Sequence, residues 1–268
     1  MLVKATENNR EEILNYCLEE EVFNIFIIGD IENFGFSSGI QDIWYEKEDD
    51  KIIGIVLRYH TTLIVYSKDL NMDFSSIRAI TDNMNIENIS GKSTVIDKLY
   101  PYLKGNYSRK DTKFCQYKDI GGLKDIKDDI NVSDEKDAME IAAAYGEISE
   151  FKALYSSDIN IRYNQIFNRI STGEGKHVFI KDNLGILSHG NTTAENSHSA
   201  MIGGIFTRQN ERRKGFGSQI VSYLVKDLIN RKKNICLFYG NEEEGKFFMK
   251  LGFEIIGNWT VLRSEKDE

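Results

Sequence analysis

The stretch of the 268-residue chain best placed to do chemistry is Ile202-Gly203-Gly204-Ile205-Phe206-Thr207-Arg208-Gln209-Asn210-Glu211-Arg212-Arg213-Lys214-Gly215-Phe216-Gly217-Ser218. Its apolar start reads as the end of a strand and its middle as a basic, glycine-containing turn. Gly217–Asn230 then reads as an amphipathic helix with Ile220, Val221, Leu224, Val225 and Leu228 on one face. The first-turn amides of a helix have no internal partners, and the helix dipole adds partial positive charge at the same end. Such a start suits a pyrophosphate. Gly215 and Gly217 let a ligand approach the backbone with no Cβ between, and Arg212, Arg213 and Lys214 add cations. The same residues fit a solvated basic loop, and the turn alone leaves both readings open.

Other chemistry-bearing residues are scattered. Cys17, Cys115 and Cys236 are odd in number and lie roughly a hundred residues apart. They form neither a disulfide framework nor a Cys-x-x-Cys pair, so buried thiols are expected. No two of His60, His177, His189 and His198 have the helical spacing of a zinc pair, and no metal is expected. Gly91-Lys92-Ser93 ends like a phosphate-binding loop, but Ile86 stands where the loop's first glycine is needed, so the amide cradle cannot form. The acidic runs Glu19-Glu20-Glu21 and Glu242-Glu243-Glu244 read as solvated helix faces.

The elements that must position the glycine turn follow from periodicity. Ala200–Thr207 is a strand before it, and Asn234–Tyr239 a short buried strand after the helix. Glu242–Leu251 is a helix and Phe253–Leu262 a last strand. Upstream, Asp134–Tyr145 is a helix capped by Ser133 or Asp134, and Asn160–Ile170 a second helix. Lys176–Lys181 and Leu184–His189 form a hairpin around Asp182-Asn183. The first half carries helices at Arg10–Leu18, Ser75–Met84 and Thr94–Leu103. Its strands are Ile40–Glu46, Ile52–Val56 and Thr61–Tyr66. The whole is a mixed α/β sheet. Gly121-Gly122 and the charges through Asp129 mark a boundary, giving domains 1–125 and 126–268, each large enough to bury a core.

Composition narrows the class. Lys and Arg number 34 against 42 Asp and Glu, a net charge of −8. That balance argues against nucleic acid and against a polybasic membrane contact. No apolar run reaches the ~18–20 residues that span a bilayer. The first residues lack the pattern of a secretory signal, so a cytoplasmic protein is expected.

Arg212-x-x-Gly215-x-Gly217 is similar to the Arg/Gln-x-x-Gly-x-Gly/Ala signature of the GNAT acetyltransferase superfamily. Asn241, followed by Phe248-Met249-Lys250-Leu251-Gly252-Phe253, resembles that family's closing element, whose usual form is Tyr-x-x-Leu-Gly-Phe. The resemblance covers about residues 130–264. It implies an α/β fold with a mixed, mostly antiparallel sheet flanked by helices. This sheet would splay between Ala200–Thr207 and Asn234–Tyr239, with acetyl-CoA as co-substrate in the opening. Backbone groups of Ile205 and Thr207 would bond the pantetheine arm as an added strand does. Arg212 and the amides of Arg213, Lys214, Gly215, Phe216, Gly217 and Ser218 would hold the pyrophosphate, with Asn241 near the pantetheine.

The reaction implied is direct transfer of the acetyl group to a primary amine of a small molecule or peptide, in a ternary complex. An amine of pKa ~10 is mostly protonated at neutral pH, so a base or a water chain must act. The developing oxyanion needs a fixed amide, which Ile205 or its neighbour could supply. The family's proton-donating tyrosine aligns with Phe248, which has no hydroxyl. Tyr239 is the nearest substitute, and Glu195, His189 and His198 are candidate bases. Phe248 also keeps open a non-catalytic acyl-CoA-binding sensor or regulatory module, and a structural protein whose turn binds nothing is a further alternative. Acceptor choice in this fold depends on about Tyr145–Thr172.

The strand meander of the first half resembles the same superfamily, but Ser67-Lys68-Asp69-Leu70-Asn71 after it offers no Arg-x-x-Gly-x-Gly turn. A second, N-terminal α/β domain of degenerate GNAT-like type, shaping the acceptor site, is expected. The layout is similar to the glycine N-acyltransferase-like branch, and an unrelated α/β cap domain would read the same way. Monomer and homodimer both stay open.

Overall fold

The computed structural model describes residues 1–118, 121–152 and 155–265. By internal contacts the chain forms two units. The first comprises Met1–Cys115, Phe238–Glu242 and the chain from Ile255; the second comprises Gln116–Leu237 and Glu243–Glu254. The position expected from composition, between residues 125 and 126, falls within the second unit's opening segment.

The first unit contains β1 (Val3–Lys4), α1 (Arg10–Leu18), α2 (Ile25–Phe34), β2 (Gln41–Glu48), β3 (Lys51–Tyr59), β4 (Thr62–Tyr66), α3 (Arg78–Asn83), β5 (Asn88–Lys92), α4 (Ser93–Leu99) and most of β6 (Asn106–Tyr117). Strands β1 to β4 pair antiparallel, and β4 pairs parallel with β5. Side chains of β3 alternate between faces, as a strand's period of two demands. Ile55 and Leu57 join Ile13, Cys17, Ile27, Ile28 and Ile31, whereas Val56 joins Leu63, Val65, Ile77, Val95 and Ile96. Both faces are therefore covered by helices. Gly91 lies in β5 with no room for a Cβ beside the Val65 carbonyl, so the Gly91-Lys92-Ser93 stretch is strand end, not phosphate loop.

The second unit continues with β7 (Asn131–Val132), α5 (Ala138–Glu147), α6 (Ile159–Thr172), β8 (His177–Asp182), β9 (Gly185–Glu195), β10 (Ser199–Thr207), α7 (Phe216–Asn230), β11 (Asn234–Tyr239), α8 (Glu242–Met249) and β12 (Phe253–Glu265). Strands β7 to β10 pair antiparallel and β11 runs parallel to β10. The last residues of β11 and the chain of β12 from Ile255 count with the first unit, where Trp259–Arg263 pairs with β5. The mixed, mostly antiparallel sheet flanked by helices is the fold expected.

Caps explain the helix limits of the second unit. Asp134, not Ser133, starts the turn into α5: its carboxylate accepts from the Lys136 amide at 2.8 Å, and Asp137 accepts from the Asp134 amide at 3.0 Å. Asp158 caps α6 at 2.8 Å, and Gly173 ends it in the left-handed region at φ 73°. Buried Arg162 donates to the Ala142 carbonyl at 2.8 Å and the Ser156 carbonyl at 2.6 Å, placing its charge near the negative end of α5.

The glycine- and charge-rich stretch from Gly121 to Asp129 is strapped onto α7. The Lys124 amide donates to Ser222 Oγ at 2.8 Å, and the Lys127 and Asp128 amides donate to Gln219 Oε1 at 2.7 and 3.0 Å. Gln219 Nε2 donates back to Asp128 at 2.7 Å. Gln219 and Ser222 are buried, so the strap supplies the partners their helix cannot. Cys17, Cys115 and Cys236 are free and buried, and burial raises each thiol's pKa, that of Cys115 to about 12. No helix among the described residues is long and apolar enough to cross a membrane.

Candidate functional site

The ladder between β10 and β11 spans only Ser199–Met201 against Asn234–Cys236, although β10 runs on to Thr207. On its other edge β10 pairs with β9 as far as Gly203↔Asn191 and resumes at Phe206↔His189. Gly204 and Ile205 therefore stand out of register as a bulge, which re-aims their peptide groups. Gly204 holds a left-handed φ of 57°, and a Cβ there would collide with the Tyr145 hydroxyl and Asn191. Only glycine fits.

Under the bulge lies a buried polar group. His189 Nδ1 is 2.8 Å from the Gly204 carbonyl oxygen, and His189 Nε2 is 3.0 Å from His177 Nδ1. The His189 ring stacks on Phe206 at 5.4 Å and meets the edge of Tyr145 at 5.3 Å. Burial pushes the His189 pKa down to about 4; burial and the neighbouring His189 push His177 down to about 2. Both rings are neutral at pH 7.

Beyond β10, a 3-10 helix over Gln209–Glu211 leads into the start of α7. Gly215 is the N-cap, at φ 94°, and among the described residues nothing lies within 4 Å of where its Cβ would be. The turn is open to a ligand at that point. A Cβ on Gly217 would stand 3.3 Å from Thr207 Oγ1, itself 3.0 Å from Ser188 Oγ. The three cations each meet a carboxylate. Arg212 bonds Glu150 at 2.8 Å and the Thr207 carbonyl at 3.1 Å; Arg213 meets Glu243 at 3.1 Å and Lys214 meets Glu211 at 2.8 Å. Arg212 draws the Glu150 pKa down to about 2.

The fold thus gathers Ile205, Thr207 and Arg212 through Ser218 along one strand–turn–helix. Other expected site residues are not part of this strand–turn–helix. Tyr239, the last residue of β11, and Asn241, exposed just before α8, belong to the first unit. Glu195 pairs with Ala200, seven residues and roughly 23 Å along β10 from Thr207. Its carboxylate is held by Arg231 and by Lys233 at 3.8 Å. His198 is exposed at that same end. His189 has both ring nitrogens engaged and is no free base. Phe248 is buried against Phe253 at 5.9 Å. Of the expected acceptor segment Tyr145–Thr172, Ala153 and Leu154 lie outside the described residues.

Sequence reasoning missed His177, Asn191 and Tyr145. A signal existed for the first. In a hairpin turning at Asp182-Asn183, positions 177 and 189 stand nearly equidistant from the turn, so the register brings the two histidines together.

Residues 183–263 match the model of the FR47-like protein family. A search of curated proteins found no match. Among solved structures, a Drosophila protein is similar over 100% of this chain and 99% of its own, with TM-score 0.69 and 10% identity. A tandem GNAT protein from the clavulanic acid biosynthesis pathway is similar over 100% and 99%, with TM-score 0.61 and 11% identity. A GNAT-family acetyltransferase from Colwellia psychrerythraea is similar over 99% and 100%, with TM-score 0.60 and 12% identity. At such identities the likeness is one of fold. Over its whole length the chain has the fold of these GNAT proteins. The FR47-like match lies within the C-terminal half.

Proposed function

We propose that the protein is an N-acetyltransferase that takes acetyl-CoA as donor and passes the acetyl group directly to a primary amine of a small molecule or peptide. The observation that carries the reading is the early end of the β10–β11 ladder at Met201 and Cys236, with the free length of β10 leading into an open glycine turn at the start of α7. Ile205 and Thr207 would bind the pantetheine amides, and Arg212 through Ser218 the pyrophosphate. The open space at Gly215 and the first-turn amides of α7, which a helix leaves without internal partners, fit such an anion. Asn241 keeps its proposed place near the pantetheine.

Tyr239 is proposed as the proton donor to the departing thiolate; a tyrosine's ordinary pKa of ~10 leaves its hydroxyl protonated at neutral pH, and burial raises that pKa. Because Glu195 is committed to Arg231 and Lys233, deprotonation of the amine is assigned to a water chain. A second reading, a non-catalytic acyl-CoA sensor, is favoured by one observation: buried Phe248 offers no hydroxyl.

The first test is calorimetric titration of acetyl-CoA into the wild type and Gly215→Glu, which puts bulk and negative charge into the turn. Micromolar binding lost in the variant supports the reading, and no binding by the wild type ends it. Thiol release with a panel of amines separates enzyme from sensor.

A further inference from the structure

The carbonyl of Gly204 and the N–H of Ile205 belong to one planar, trans peptide group, so whatever holds the oxygen aims the N–H the opposite way. His189 Nδ1 sits 2.8 Å from that oxygen. A carbonyl only accepts, so Nδ1 carries the ring proton and donates. His189 Nε2 is then bare and accepts from His177 Nδ1–H across 3.0 Å. That leaves His177 Nε2 without a proton, and this atom is buried with no hydrogen-bond partner among the described residues. The chain of tautomers therefore ends on an unpaired acceptor and not on an orphaned N–H, the rarer arrangement in a buried site.

The bulge takes Gly204 out of the ladder with β9, and Tyr145 and Asn191 fill the space where a side chain or a shifted peptide would go.

We propose that His189, its tautomer set by His177, is a positioning residue that locks the Gly204–Ile205 peptide so that Ile205 N–H is presented, already aligned, to the thioester carbonyl of bound acyl-CoA. This rests on the acyl-CoA reading above. Hydrogen bonds in series polarise one another, by roughly 10–30% per bond. An amide that need not turn is the effective kind of donor to a charge developing on oxygen.

Two measurements on the full chain test it. In ligand-free protein, ¹⁵N correlation of the imidazole nitrogens is expected to show protonated Nδ1 on both His177 and His189; a protonated Nε2 on His189 overturns the lock. Carbonyl-¹³C acetyl-CoA is then bound to wild type, His189→Phe and His189→Asn, the last keeping an N–H near the Nδ1 position. Affinities are expected to agree within about threefold. The downfield carbonyl shift on binding is expected in wild type and His189→Asn and lost in His189→Phe, with kcat down ~10-fold and KM unchanged in the phenylalanine variant. An unchanged carbonyl shift in His189→Phe overturns the proposal while leaving the acyl-CoA reading intact. A wild type that binds no acetyl-CoA overturns both. If His189→Phe does not fold, His177→Phe, which removes the tautomer's support, is read in the same way.

Discussion

The guanidinium of Arg212 bridges the Glu150 carboxylate, at 2.8 Å, and the Thr207 carbonyl, at 3.1 Å. It ties the segment after α5 to the end of β10. Any anion that enters the turn competes with Glu150 for that charge. Both partners are largely exposed, so the pair is worth at most ~1 kcal/mol. Glu150→Gln is therefore expected to tighten acetyl-CoA binding about two- to fivefold at low salt, by calorimetry, with the gain shrinking at high salt.

Two of the site's glycines, Gly204 and Gly215, serve different needs. Gly204→Ala would drive a methyl into Tyr145 and Asn191 at a left-handed φ, and a loss of roughly 2–4 kcal/mol in urea unfolding is expected. Gly215→Ala meets open space and is expected to cost only about 1 kcal/mol, from φ 94°. Equal losses would show that the bulge is not confined as described.

Gln219→Ala removes the acceptor shared by the Lys127 and Asp128 amides. Amide hydrogen exchange is expected to accelerate at those two residues, while the core of α7, at Leu224 and Val225, stays protected. A global destabilisation of ~1–2 kcal/mol accompanies it. Unchanged exchange at Lys127 and Asp128 would mean that the strap is held by other bonds.

Asp30, on α2, has its pKa pushed up to about 7 by burial, from an ordinary value of 3.8. Between those values the folded state holds a proton that the unfolded chain has lost, so this group's contribution to stability falls as pH rises and is lowest above pH 7. Asp30→Asn is expected to stabilise the protein at pH 8, by on the order of 2–4 kcal/mol, and to change little at pH 4. Thermal unfolding at the two pH values decides it.

Much of the fold was legible because its signals are local. Helix α1 and strand β11 coincide with the limits read from periodicity, and α7 differs by one residue at its start. Helix α2 was invisible: Ile25-Phe26-Ile27-Ile28 is an unbroken apolar run rich in β-branched residues, with no face to detect, and Ile25, Ile27 and Ile28 are all buried, as is Ile31 further along the helix. The glycine turn could be read because its chemistry sits in consecutive residues. The polar group beneath the bulge could not, since it depends on the register of β8, β9 and β10. Glu195 looked free for the opposite reason: Arg231, which holds it, comes 36 residues later in the chain.

Strand β5 is made early and finds its antiparallel neighbour late. Lys92 pairs with Trp259, a partner synthesised 167 residues afterwards (259 − 92). Contacts that distant in sequence slow folding. On the ribosome the N-terminal sheet must wait, one edge uncovered, until nearly the whole chain has emerged. A fragment cut at the glycine-rich strap would keep that exposed edge for good, and an unpaired strand edge invites aggregation.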